Sequence, residues 1–84
     1  MKTIFITNER PTLKEVRKLV GGYIEFVYSD GDIQIICNEE GKLKKLPINE
    51  EATNYWFNQA NPSIFTDYFL VGDVVILKGK AQFL

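Results

Sequence analysis

From Tyr23 to Asn38 apolar and polar positions alternate around a central Asp30-Gly31, and the rest of the chain is read outward from this stretch. Asp-Gly between runs of β-branched and aromatic residues supplies the positive φ angles of a two-residue hairpin turn. With Ser29 opposite Asp32, the register pairs Tyr28 with Ile33, Phe26 with Ile35 and Ile24 with Cys37. Those side chains share one apolar face, because side chains alternate along a strand. Tyr23, Glu25, Val27, Gln34, Ile36 and Asn38 make the other, mixed face. A turn through Asn38-Glu39-Glu40-Gly41 then returns the chain as a further antiparallel strand, Lys42 to Leu46, which Pro47 ends.

Upstream, Ile4 and Ile6 alternate with Thr3, Phe5 and Thr7, which predicts a first strand over Lys2 to Thr7, buried on both sides. Thr12 and Glu15 form a capping box that starts a helix through Val20, ended by Gly21-Gly22. Leu13, Val16 and Val20 share its apolar stripe, and Lys14, Arg17 and Lys18 face solvent. Downstream, Asn49 caps a second helix to about Ala60, with Glu50 and Glu51 at the positive end of its dipole. Ala52, Tyr55, Trp56 and Gln59 recur at helical spacing, so Tyr55 and Trp56 pack on the sheet and Phe57 lies off that stripe. Asn61-Pro62 ends the helix. Strand character resumes over Asp67 to Val71, and the apolar run Val74 to Leu77 reads as a central strand. The expected architecture is an α+β fold: a small, mainly antiparallel sheet of about four to six strands with two helices on one face.

Composition narrows the function more than the fold. A chain of 84 residues reads as a single domain, residues 1–84. Ten Lys plus Arg against eleven Asp plus Glu provide neither the basic field of a nucleic-acid binder nor the dense negative charge of a DNA mimic. A single cysteine, no signal-peptide pattern and no long apolar run point to a cytoplasmic protein with no membrane association. The chain has no histidine, which removes the commonest general base and metal ligand together. Cys37 falls on the apolar hairpin face with no imidazole to activate it, Asp30-Gly31-Asp32 lacks the further ligands of a calcium loop, and Gly21-Gly22 belongs to no phosphate-binding motif. No catalytic residue, metal site or cofactor is therefore expected.

Several segments in order carry a family resemblance: Val20-Gly21-Gly22-Tyr23-Ile24-Glu25, Cys37-Asn38-Glu39-Glu40-Gly41-Lys42-Leu43, Leu46-Pro47-Ile48-Asn49 with Ala52-Thr53, and Val71-Gly72-Asp73-Val74. Together they resemble the small domain of phages, plasmids and related bacterial elements catalogued as domain of unknown function 3846. The resemblance spans nearly the whole chain and implies an accessory gene of a mobile element, with no catalytic set to carry over. The family often has a small residue where Lys45 stands.

Two constellations remain. Tyr55, Trp56, Phe57, Tyr68 and Phe69 belong to an aromatic surplus larger than a small core can cover, and surface aromatics are typical anchors of protein interfaces. Lys42, Lys44 and Lys45 either guard an edge strand or bind an anion. The expected function is thus a non-enzymatic accessory protein that binds and modulates a host protein. The alternative is a small-ligand binding or sequestering protein, an oligomer that cradles a nucleotide or similar anion on those lysines and a stacking aromatic.

Overall fold

The computed structural model describes residues 1–60 and 69–83. Among them, four strands form one sheet: β1 (Thr3–Ile6), β2 (Ile24–Ser29), β3 (Ile33–Asn38) and β4 (Val74–Lys78), in the order β1-β4-β3-β2. β4 runs parallel to β1 and antiparallel to β3, and β3 is antiparallel to β2. Two helices, α1 (Leu13–Val20) and α2 (Glu50–Ala60), and a 3-10 turn at Gly79–Ala81 complete the α+β fold. β4 is the central strand that its unbroken apolar run predicts, with Val74 to Leu77 fully buried. β1 is an edge strand rather than one buried on both sides, and Phe5 on it is 44% exposed.

The helices divide between the two faces instead of sharing one. Ile33, Ile35 and Cys37 of β3 and Val74 and Ile76 of β4 pack with Ala52 and Trp56 of α2. The residues between them, Ile36, Val75 and Leu77, pack with Val16 and Val20 of α1. The cause lies in the strands themselves: β3 and the apolar run of β4 are buried at consecutive positions, so both faces require a cover.

The hairpin turns one residue later than its Asp-Gly pair suggests. The Asp30 carboxylate accepts from the N–H groups of Asp32 (2.8 Å) and Ile33 (2.9 Å), and the Asp30 N–H donates to the Ile33 carbonyl at 3.2 Å. Asp30 therefore ends the strand as an Asx turn, and Gly31, at φ 92°, opens the loop. Ser29 pairs with Gln34 and Tyr28 with Ile35, after which the register shifts between Phe26 and Tyr28. Beyond that bulge Glu25 stands opposite Cys37 and Phe26 opposite Ile36, so Ile24 and Phe26 leave the face that Tyr28 keeps.

The strand expected over Lys42 to Leu46 is a turn of helix. The Lys44 N–H donates to the Glu40 carbonyl, Lys45 N–H to Lys42 and Leu46 N–H to Gly41, with Lys45 at φ 55°. That is the bond pattern of a Schellman motif, which satisfies the end carbonyls of a helical turn and demands a left-handed residue. Alternating charge and Leu in Lys-Leu-Lys-Lys mimics a strand, but Gly41 is packed against Val71 and sets the chain turning at once.

Candidate functional site: the Glu39–Lys45 turn and its two hollows

The turn is held from beneath by Asn38, which is buried. Its Oδ1 accepts from the Glu40 N–H at 2.8 Å, and its Nδ2 donates to the Val20 carbonyl at the end of α1, 3.1 Å away. The α1 end is fixed in turn by the capping box between Thr12 and Glu15 and by Gly21 at φ 82°. Hydrogen bonds from the Thr12 backbone and hydroxyl hold the Glu15 carboxyl below its usual range.

On the α2 side of the turn, the Lys42 ammonium lies over the Phe69 ring, 4.8 Å from its centroid. Below them is a cleft of about 80 Å³ lined by Glu25, Cys37, Lys42, Leu43 and Phe69 among others. Leu43 at its rim is 84% exposed and Phe69 is 36% exposed. Cys37 at its base is chemically quiet: burial first, then the Glu25 carboxylate, push its thiol pKa up to about 11, against an opposing pull from Lys42. On the α1 side a wider hollow of about 310 Å³ is lined by Arg17, Gly22, Tyr23, Glu40 and Lys44. Tyr23 is 64% exposed, and the Arg17 guanidinium stands 5.6 Å from its ring centroid.

The three lysines thus part company. Lys42 joins the cleft, Lys44 the hollow, and Lys45 takes the left-handed position that closes the turn. The aromatic set divides too. Trp56 is only 8% exposed and belongs to the α2-side core, so it supports the fold and has no surface to offer a partner. Tyr55 is half-buried, edge-on to Phe5 at a centroid distance of 5.1 Å. Phe57 is 38% exposed and tilted against Trp56, and Tyr68 lies outside the described residues. Thr53, one turn before Phe57, accepts the Leu70 N–H at 2.9 Å, which ties the approach to β4 to α2. Sequence reasoning passes over Leu43 because an alternating strand would give it a sheet face, and over Arg17 because one more cation on a helix is ordinary.

Two of the segments that carry the resemblance, Leu46-Pro47-Ile48-Asn49 with Ala52-Thr53 and Val71-Gly72-Asp73-Val74, meet around Asn49, which is buried. Its Nδ2 donates to the carbonyls of Lys2 and Gly72, both at 3.0 Å, and its Oδ1 accepts from the Ala52 N–H at 2.9 Å and the Thr3 hydroxyl at 3.1 Å. Its own N–H donates to Leu70 and its carbonyl accepts from Thr53, while Gly72 bonds Pro47 and Ile48 bridges Val71. Asn49 therefore caps α2 while tying the start of β1 and the approach to β4 to it. Among the described residues no group of three or more acidic or Cys side chains is placed to hold a metal ion, and no helix is long and apolar enough to cross a membrane.

Fold and site together define a small α+β domain in which buried Asn38 and Asn49 tie the framework together and the Glu39–Lys45 turn separates two hollows. The chain belongs to the family described as Domain of unknown function (DUF3846), whose model matches residues 1–83. No curated protein and no solved structure matches it.

Proposed function

We propose that this protein is a non-enzymatic accessory protein of a phage or other mobile element, acting in the host cytoplasm by binding and modulating a host protein. The cleft under Leu43 and Phe69 carries the reading. At about 80 Å³ it is far below the roughly 300 Å³ at which small-molecule pockets begin, and it suits one partner side chain. Its rim has the make-up of an interface centre: an almost fully exposed leucine, a half-open aromatic and charge at the edge. The contact residues are Lys42, Leu43 and Phe69.

Affinity capture of the tagged protein from host lysate, followed by mass spectrometry, tests this. One dominant protein held by the wild type and lost with Leu43→Asp, while the melting temperature is unchanged, supports the reading. Equal capture by wild type and both Leu43→Asp and Phe69→Ala would remove this surface from consideration.

A further inference from the structure

The hollow on the α1 side of the turn differs in kind from the cleft and stands independently of the partner-binding reading. It combines three chemistries. Arg17 and Lys44 supply cations, and among the described residues neither has an ion-pair partner. Gly22 leaves room for the Asn38 amide that holds the turn: a Cβ there would stand 3.0 Å from the Asn38 Nδ2, while the Lys44 Nζ would lie at an ordinary contact distance of 3.6 Å. Tyr23 supplies a flat ring, backed by the Arg17 guanidinium yet 64% exposed. Glu40 supplies a hydrogen-bond acceptor.

A bare anion would use the cations, find nothing in the ring and be repelled by Glu40. A neutral ring would leave both cations unanswered. A ligand that joins a planar ring bearing N–H donors to a phosphate answers all three, and the volume of about 310 Å³ sits at the lower end of the range for small-molecule sites. We propose that this hollow binds a nucleoside phosphate, its base stacked at Tyr23 with an amino or imino group toward Glu40 and its phosphate between Arg17 and Lys44. Base stacking on an aromatic ring and charge-assisted bonds from Arg to phosphate are each established sources of binding energy. The same chemistry is presented by a free nucleotide and by a residue of single-stranded nucleic acid.

The test is a set of titrations of the full chain, followed by the amide NMR shifts of Gly22, Tyr23 and Lys44. The probes are AMP, GMP, CMP and UMP, inorganic phosphate, and an eight-residue oligothymidylate. The expected result is saturable binding of at least one mononucleotide at these amides, at least tenfold tighter than inorganic phosphate. Tyr23→Ala and Lys44→Glu each weaken it tenfold or more without lowering the melting temperature, and Leu43→Asp leaves it intact. Binding of the oligonucleotide alone, at the same amides, keeps the site and assigns its source to single-stranded nucleic acid. No saturable shift with any probe at millimolar concentration, shifts elsewhere on the chain, or equal affinity for inorganic phosphate would overturn the proposal. Loss of lysate capture with Leu43→Asp, read alongside, concerns the cleft and leaves this outcome separate.

Discussion

At the scale of single residues, buried polar groups decide more than the apolar core does. Asn49 satisfies every donor and acceptor it has, and its Nδ2 is shared by two carbonyls from different parts of the chain. Asn49→Asp keeps the helix cap but turns an oxygen toward the carbonyls of Lys2 and Gly72. Leaving buried polar groups without donors costs about 1–3 kcal/mol each, so the variant should lose on the order of 3 kcal/mol, read as a fall in the urea midpoint. An unchanged midpoint would show that those bonds carry no stability. Lys45 predicts the opposite sign. It holds φ 55° without glycine's freedom, so Lys45→Gly should stabilise the chain by about 1 kcal/mol in thermal or urea unfolding. The cap at Asn49 is legible in the sequence because it needs only local spacing. Its bonds to Lys2 and Gly72 are not, since both depend on how distant segments come together.

At the scale of elements, the hairpin shows how one side chain redirects a pattern. Asp-Gly correctly marks a turn, but the sequence does not say whether Asp30 lies in the loop or closes the strand. The two N–H groups captured by its carboxylate decide that. The bulge is hidden for a similar reason: Phe26-Val27-Tyr28 is apolar throughout, so alternation cannot show where the register slips. Likewise the lysine-rich turn has strand-like alternation and no residue that forbids a strand, and the close approach of Gly41 to Val71 that accompanies the turn depends on a distant segment. Asp30 also gives the hairpin a pH dependence. Hydrogen bonds from the Ile33 and Asp32 N–H groups and the Tyr28 hydroxyl hold its carboxyl below the usual Asp value. A depressed carboxyl adds stability that is complete above its unfolded pKa and lost as pH falls through the folded one. The Tyr28 hydroxyl, raised by the same bond to Asp30, adds stability that is present below its ordinary value and lost as pH rises through the raised one. Asp30→Asn should therefore be less stable than wild type near neutrality, and the gap in melting temperature should close on acidification below about pH 4. A gap that stayed constant with pH would assign the effect to turn geometry instead of charge.

At the scale of the whole molecule, one sheet separates two cores, and the question is whether they melt as one. The sequence reports both helical stripes and the central strand but not the division of helices between faces, because periodicity shows that a side is apolar without showing which side of a sheet it meets. The structure makes the sheet the link. Val74 and Ile76 enter the α2-side core while Val75 and Leu77, their neighbours in the same strand, enter the α1-side core. Loosening either face must then loosen β4, which also carries the hydrogen bonds to β1 and β3. The sole tryptophan provides an asymmetric probe, since Trp56 lies in the α2-side core only. Val16→Ala removes two methyl groups from the opposite core, at a fully buried site on α1. Truncations of that kind cost on the order of 2 kcal/mol. If unfolding is cooperative, the Trp56 fluorescence midpoint should fall by as much as the far-ultraviolet circular dichroism midpoint, in one coincident transition. A Trp56 midpoint that stayed in place while the circular dichroism curve split would mean that the two faces unfold separately. In that case the turn, held by Asn38 to the end of α1 and by Gly41 to Val71, would join two regions of different stability.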